Sequence, residues 1–156
     1  MNQECFTADG RFFQALIEKS TECPYGDFHT LFKQGEFPKG LYIIRDGEAA
    51  LLMLSPTERI IASYRAGPGS VLGLPAVVGS LPYTLNAIVR KGTIVGFIEL
   101  ESFNALLRED PSLYPSVLRL LASEVRAARS TISGAGRESP SVDYAHAERM
   151  LIEARA

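Results

Sequence analysis

The segment LYIIRDGEAALLML, residues 41–54, contains two short apolar runs on either side of an Asp-Gly pair. Apolar runs of this length, bounded by turn residues, are typical of β-strands. Asp-Gly is a strong hairpin signal because glycine adopts positive φ without steric cost. We therefore predict strands at residues 41–44 and 49–54, joined by a hairpin turn at Asp46-Gly47.

The same pattern continues on both sides of this segment, from residue 28 to residue 98. Further apolar runs at residues 31–32, 60–64, 83–89 and 94–98 alternate with turns such as Ser55-Pro56. Several short strands with regular turns predict a sandwich or a barrel-like roll. Residues 21–27 contain Pro24 and Gly26 and are predicted to form a loop.

Helical spacing of apolar residues flanks this β region. It predicts one helix at residues 11–19 and another at residues 99–110, which Pro111 ends. Ser112 is expected to cap a long third helix, residues 113–132. A Gly/Ser/Pro-rich hinge, residues 133–140, then precedes a last helical fragment.

The long third helix carries two apolar stripes. One stripe, Leu113, Val117 and Leu120, is expected to pack on the roll. The other alternates steps of four and three residues, which is the a/d seam of a two-stranded coiled coil. This seam predicts a homodimer, although a single broad face covered within one chain is the alternative. The seam residues are Tyr114, Leu118, Leu121, Val125, Ala128 and Ile132.

Bulk composition limits the classes of partner. Hydrophobic residues make up 46% and charged residues 22% of the chain, as in an ordinary globular domain, and the net charge of −2 provides no basic field for nucleic acid. There is no apolar run of about 20 residues and no secretory signal pattern, so we expect a cytoplasmic protein without a membrane partner. Cys5 and Cys23 are expected to be free thiols.

Patterns for catalysis or metal binding are not found in the sequence. The two histidines, His29 and His146, lie far apart, and the predicted strands lack the clustered ligands of a cupin-type metal site. Two cysteines are by themselves too few for a four-cysteine iron–sulfur cluster, and a cluster that bridges the two chains of a dimer is the less favoured alternative to free thiols. There is no phosphate-binding loop, dinucleotide motif or nucleophile triad. We therefore predict a protein that is not an enzyme and holds no metal or cofactor.

The order of short helix, roll and long helix is that of a known sensor fold. The segments FKQGE (32–36), LYIIRDG (41–47), GPGSVLG (67–73) and VGFIELESF (95–103) resemble the cyclic-nucleotide-binding domains of the Crp/Fnr regulator family. The resemblance covers about residues 30–132. It implies a mainly β fold with flanking helices: an antiparallel, eight-stranded double-stranded β-helix (jelly roll) over residues 1–110, a dimerisation helix over residues 111–133, and a hinge with a helical remnant of a DNA-binding domain over residues 134–156.

The resemblance places the ligand in the cassette GLPAVVGSLPYTLN, residues 73–86, where a short helix follows a glycine turn. In this family the helix amides and an Arg hold a cyclic phosphate, and a Glu accepts from the ribose hydroxyl. Here Leu74 occupies the Glu position, and the Arg position falls on Tyr83 or Thr84. Loss of the Arg weakens the binding free energy of the phosphate by a few kcal/mol, so we expect no ordinary tight binding of cyclic AMP.

Three interpretations of the cassette remain open. It is a closed apolar plug, or it holds a less charged ligand with Tyr83, Thr84 or Asn86 as polar handles, or it keeps a weak anion site on the backbone amides around Pro75. The effector is thus unknown from sequence. The candidate pocket residues are Gly73, Leu74, Pro75, Ala76, Val77, Tyr83, Thr84 and Asn86.

The resemblance also implies a helix-turn-helix domain after the hinge. Residues 144–153, YAHAERMLIE, resemble its first helix, and no recognition helix follows. We therefore expect no sequence-specific DNA binding by this chain alone. The sequence predicts a dimeric, ligand-sensing regulatory module. The alternatives are a fragment of a DNA-binding transcription regulator and a dimerisation scaffold with a closed pocket.

Overall fold

The structure, a computed structural model, describes residues 6–133, 149, 150 and 152, and its description of side chains ends at residue 130 before resuming at residue 149. Most of the predicted hinge and C-terminal fragment, residues 134–156, lies outside the described part. Met150 of this fragment is among the described residues, and it is buried against Ala50, Leu52 and Ile88 on a face of the second sheet defined below.

Within the described residues, eight antiparallel strands form two four-stranded sheets. The strands are β1 (Thr21–Pro24), β2 (His29–Phe32), β3 (Gly40–Asp46), β4 (Ala49–Leu54), β5 (Ile60–Ala66), β6 (Val71–Leu72), β7 (Asn86–Val89) and β8 (Ile94–Glu99). The first sheet has the order β1-β8-β3-β6 and the second has the order β2-β7-β4-β5. The chain passes repeatedly between the sheets, which confirms the predicted jelly roll.

Helices flank the roll at both ends of the sequence and interrupt it once. They are α1 (Gly10–Lys19), α2 (Leu74–Gly79), α3 (Leu100–Glu109) and α4 (Tyr114–Ser133), with a short 3₁₀ turn, Pro111–Leu113, before α4. Asp110 rather than Ser112 caps this turn. The Asp110 carboxylate accepts from the Ser112 amide at 3.2 Å, because Ser112 already lies inside the turn.

The predicted hairpin at Asp46-Gly47 is wrong in its pairing. The turn forms, with Gly47 at φ +90°, but β3 pairs with β6 and β8 whereas β4 pairs with β5 and β7. The Asp-Gly pair therefore carries the chain from one sheet to the other. A turn residue fixes only the local reversal, and the burial of each strand's apolar face decides its partners.

Two strand boundaries also differ from the prediction. β1 occupies part of the predicted loop 21–27 and pairs with β8 at the edge of the first sheet. It was missed because its residues are mostly exposed and polar, and Pro24 is tolerated only at such an edge. β7 begins at Asn86, three residues later than predicted, because residues 83–85 line a cavity instead.

The described interior divides into three clusters, of which the third is the small group of Ala50, Leu52, Ile88 and Met150 named above. The first core cluster lies under α1, α3 and α4 and includes Phe12, Leu16 and Phe103. The second lies between the sheets and includes Phe6, Phe32, Leu51, Ala76 and Tyr83. Leu113, Val117 and Leu120 are buried in the first cluster, which confirms that this stripe of α4 packs on the roll.

Asp9 connects α1 to α4. Its Oδ1 accepts from the Phe12 amide at 2.9 Å and caps α1. Its Oδ2 accepts from the Ser116 hydroxyl at 2.5 Å and from Arg119 at 3.0 Å. These hydrogen bonds, that from Ser116 above all, lower the pKa of Asp9. The contacts fix the first turns of α4, and the helix then continues past the second core cluster, where Ala127 packs.

The predicted seam of α4 faces outward for much of its length. Tyr114, Leu118 and Val125 are 47%, 64% and 54% exposed, values that leave large apolar side chains uncovered within one chain. Ala128 is also exposed, Leu121 is half-buried against the first core cluster, and the side chain of Ile132 lies outside the described part. Dimerisation through the seam stays a prediction. Within the described ranges, no helix has both the length and the apolar character needed to cross a bilayer.

Candidate ligand pocket

A cavity of about 70 Å³ lies between α2, the following segment 80–85, the second sheet and α4. A site of about 10–15 Å³ holds one water molecule, so this cavity has room for several waters or a small organic group. Its walls are largely apolar, and they include Phe6, Phe32, Leu51, Pro75 and Leu85. The cavity coincides with the cassette that the sequence singled out.

Five of the eight predicted pocket residues line this cavity: Gly73, Pro75, Ala76, Tyr83 and Thr84. The other three lie elsewhere. Leu74 and Val77 point into the first core cluster, because α2 sits between the two clusters and its alternate faces serve different sides. The Asn86 Oδ1 accepts from the Gln34 amide at 2.6 Å, which commits that side chain to the neighbouring turn.

Gly73 and Tyr83 form one side of the cavity together. Gly73 has φ +89°, and a Cβ atom there would lie 2.8 Å from Cε1 of Tyr83. Both the left-handed backbone conformation and the close contact with the ring therefore require glycine at this position. The Tyr83 ring stacks on Phe32 with centroids 3.9 Å apart. The Tyr83 hydroxyl donates to the Gly40 carbonyl at 3.1 Å, and burial raises the pKa of Tyr83. Tyr83 is therefore a neutral wall whose hydroxyl is already bonded, not the predicted polar handle.

The amino end of α2 offers little to an anion. α2 has only six residues, and Pro75 in its first turn has no amide hydrogen. The Val77 amide bonds to the Gly73 carbonyl at 3.1 Å and closes the helical turn. Of the three predicted handles, Tyr83 and Thr84 line the cavity. The Tyr83 hydroxyl is bonded to the Gly40 carbonyl, and Thr84 lies at an exposed position.

Glu124 of α4 also lines the cavity, and sequence analysis missed it. Burial raises the pKa of Glu124 to about 8. Among the described lining residues it is the one carboxyl group, and none of them is Lys, Arg or His. A signal was available: the roll-facing stripe Leu113, Val117 and Leu120 continues at the same spacing to Glu124 and Ala127. A charged residue thus interrupts an otherwise apolar stripe.

The family model described as the cyclic nucleotide-binding domain matches residues 23–110, more than half of the chain. The chain belongs to the cyclic nucleotide-binding domain family. No curated protein matches it in sequence.

Solved structures share the fold of this cyclic nucleotide-binding domain. The catabolite activator protein of Thermus thermophilus matches with a TM-score of 0.69 and 19% identity, over 80% of this chain and 58% of that one. The regulatory domain of Toxoplasma gondii PKA with cAMP matches at 0.60 and 22%, over 76% and 43%. Oxidized CprK in complex with o-chlorophenolacetic acid matches at 0.65 and 13%, over 82% and 52%. The chain thus spans about half the length of these proteins.

The charge of this cavity is unlike the one that the family resemblance implies. The resemblance calls for a Glu on the ribose side and an Arg on the phosphate side. The Glu position, Leu74, lies in the first core cluster, and both candidates for the Arg position, Tyr83 and Thr84, are uncharged. The ionisable group that does line the cavity, Glu124, comes from α4 and is acidic.

Proposed function

We propose that this cyclic nucleotide-binding domain is the effector-sensing module of a Crp/Fnr-type regulator, and that its effector is not a cyclic nucleotide. The observation that carries the proposal is the charge of the cavity, in which no described wall residue is basic and Glu124 is an acid. A cyclic phosphate placed there would be buried without a countercharge and near a carboxyl group. Burial of an unpaired charge is strongly unfavourable.

A non-nucleotide effector is compatible with the fold. The CprK structure contains o-chlorophenolacetic acid, which is not a nucleotide, within a protein of the same architecture. The chemistry of the effector is therefore set by the wall residues of each protein and not by the roll.

The arrangement of α4 supports transmission of ligand binding to a dimer. Glu124 faces the cavity while its neighbour Val125 is exposed on the seam. A ligand that moves the Glu124 side of the helix must also move the seam. We propose that the chain forms a homodimer through the seam and that occupancy of the cavity changes the packing of the two α4 helices.

A second candidate function is a dimerisation scaffold with a closed pocket, and the small size of the cavity favours it. The two candidates differ in one observable. A sensor binds a small molecule at the walls of the cavity, so the NMR resonances of Ala76 and Leu51 shift when that molecule is added. A scaffold dimerises, but these resonances stay unchanged with every member of a library of small molecules.

Thermal denaturation tests the exclusion of nucleotides. A ligand that binds only the folded state stabilises it by RT ln(1 + [L]/Kd), about 2.7 kcal/mol at a hundredfold excess over Kd. We expect no change in melting temperature with millimolar cyclic AMP or cyclic GMP. The matched control is a domain with the family's Arg and Glu, which is stabilised under the same conditions. A shift of several degrees in this chain would contradict the proposal.

A further inference from the structure

We propose that the effector of this pocket carries a basic nitrogen and that Glu124 binds it as an ammonium group. The inference rests on the proposed function and specifies the chemical class of the ligand: a small amine with an apolar body. The resemblance read from the sequence placed the ligand contacts in residues 73–86, whereas Glu124 reaches the cavity from α4.

The first step is the position of the Glu124 carboxyl group. The α4 residues of the roll-facing stripe before and after it, Leu120 and Ala127, pack into the first and second core clusters. Glu124 lies between them and lines a cavity whose other described walls are apolar or hydroxyl-bearing. Glu124 is therefore an acid at a position of the roll-facing stripe where an apolar residue such as leucine would pack into the core.

The second step is the absence of a protein countercharge in the described surroundings. From α2 no ionisable group faces Glu124, and segment 80–85 brings Tyr83, whose hydroxyl is bonded to Gly40. On α4 itself, Arg119 is bonded to Asp9 at 3.0 Å and Arg126 is exposed. No hydrogen bond or ion pair contributes to the raised pKa of Glu124, which comes from burial.

The remaining ionisable groups on nearby elements also leave the carboxyl group without a cation. Tyr64 of β5 contacts Phe6 edge-on at 6.0 Å, and the hydroxyl of Tyr42 on β3 lies 3.5 Å from the Leu31 carbonyl. Glu36, in the turn after β2, is exposed and acidic. Buried charges in proteins are paired, and the described part of the chain supplies no cation to Glu124, so we infer that the partner of its ionised form comes from the ligand.

The third step is the choice of ligand charge. An anion would be repelled by the ionised form of Glu124, and a neutral ligand would leave the charge of that form uncompensated. A protonated amine supplies the countercharge and a charge-assisted hydrogen bond, while the rings of Phe6 and Phe32 contact its apolar part. The cavity volume of about 70 Å³ suits a short carbon chain, since an engineered cavity of about 150 Å³ accommodates benzene.

Proton linkage gives the proposal a distinctive signature. Because the pKa of Glu124 is about 8, most of the free protein is protonated at this residue near neutral pH. An ammonium ligand selects the ionised form and expels that proton. The ionised fraction rises from about one tenth near pH 7 to about nine tenths near pH 9, so the affinity for an amine must rise about tenfold.

The test uses three probes with the same number of carbon atoms on the full chain: n-butylamine, 1-butanol and butyrate. Dissociation constants are measured by NMR titration of methyl groups near pH 7 and near pH 9. We expect millimolar binding of n-butylamine, about tenfold tighter at the higher pH, because so small a ligand has few atoms to contribute. 1-Butanol is expected to bind more weakly and without pH dependence, and butyrate not to bind.

Two variants separate a specific contact from general electrostatics. Glu124→Gln keeps the size of the side chain and removes its charge, so the affinity for n-butylamine should fall at least tenfold near pH 9 and lose its pH dependence. Glu109→Gln, at an exposed position on α3, removes the same charge and should leave both unchanged. The wild-type pH profile provides a test that does not depend on either variant folding.

Several outcomes would overturn the inference. These are no binding of n-butylamine at millimolar concentration, binding no tighter than that of 1-butanol, or equal binding by the Glu124→Gln variant. Tighter binding of 1-butanol that is lost as the pH rises would show Glu124 acting as a protonated donor, which contradicts the amine and leaves the proposed sensing function intact. Stabilisation by cyclic AMP would contradict the proposed function itself.

Discussion

At the scale of single residues, Glu124 makes the stability of the folded chain depend on pH. Its pKa is about 8 in the folded chain and near 4.5 ordinarily, so the folded state holds a proton that the unfolded state releases. Stability therefore falls as the pH rises from about 4.5 to about 8. A pKa that rises by one corresponds to about 1.4 kcal/mol of free energy, and the whole effect amounts to a few kcal/mol.

Glu124→Gln should remove this component of the pH dependence. We expect the wild-type melting temperature to fall relative to that of the variant by several degrees between about pH 5 and about pH 8, because a kcal/mol is worth about 2–4 °C in a chain of this size. Differential scanning calorimetry at a series of pH values measures the difference. Glu109→Gln should keep the wild-type slope, and parallel curves for wild type and Glu124→Gln would refute the burial of this acid.

Gly73 is the second residue on which the cavity depends. Gly73→Ala introduces positive-φ strain and a Cβ atom 2.8 Å from the Tyr83 ring, so we expect a loss of about 1–3 kcal/mol in the free energy of unfolding. Gly10→Ala in α1 is the matched control, because nothing lies within 4 Å of its added methyl group. Urea denaturation measures the free energy of unfolding of the wild type and of both variants. A Gly73→Ala variant as stable as the Gly10→Ala variant would mean that Tyr83 does not pack over Gly73.

At the scale of secondary-structure elements, Asp9 determines where α4 starts relative to α1. Asp9→Ala removes the cap of α1 and the contacts with Ser116 and Arg119, and should cost about 1–2 kcal/mol. Asp9→Asn keeps an oxygen for the Phe12 amide and should cost less. The Arg119 ion pair adds little, because the arginine side chain is 67% exposed.

Chemical denaturation at two pH values measures the Asp9 contribution. The pKa of Asp9 is lowered in the folded chain, so its stabilisation is complete above the ordinary value of 3.8 and is lost as the pH falls through the lowered pKa. The wild type should lose its advantage over Asp9→Ala in acid. An advantage that persists unchanged in strong acid would argue that the Asp9 carboxylate is not the bonded group.

Helices and strands were predictable from sequence where an apolar stripe or a turn residue determines the local structure. The apolar spacing of α1, α3 and α4 and the hairpin between β4 and β5 at Ser55-Pro56 are local features, and the structure has them. β1 and the partners of β3 were not predictable locally. An exposed polar strand has no periodic signal, and the Asp46-Gly47 turn specifies a reversal without specifying which sheet receives the next strand.

At the scale of the whole molecule, the jelly roll was predictable as an ordered set of segments, whereas the pocket was predictable only in part. The cassette coincides with the cavity, and Gly73 and the turn before it are visible in sequence. Leu74 and Val77 face the core, since side-chain direction on a six-residue helix depends on how that helix sits between two clusters. Glu124 was missed because it is 51 residues away from Gly73 in sequence and reaches the cavity only through the packing of α4.

The exposed seam makes a prediction about assembly. Leu118→Glu and Val125→Glu should each give a folded monomer, because both side chains are more than half exposed in the single chain and would place charges at a coiled-coil interface. Leu121→Glu is a poorer test, since Leu121 also packs on the first core cluster. Light scattering reports the mass and circular dichroism the fold.

Ser130→Glu adds the same charge at an exposed position of α4 that is not part of the seam, and this variant should keep the mass of the wild type. A wild-type chain that is already monomeric would contradict the homodimer. So would seam variants with an unchanged mass.

The central claim is that the cavity, lined by Glu124 and by no described basic residue, has ceased to be a cyclic nucleotide site. Calorimetric titration of the full chain with cyclic AMP and cyclic GMP tests it most directly. We expect no saturable heat up to millimolar ligand. Micromolar binding of either nucleotide would contradict the claim, because it would mean that backbone amides near Pro75 and the Thr84 hydroxyl hold the phosphate without a cation.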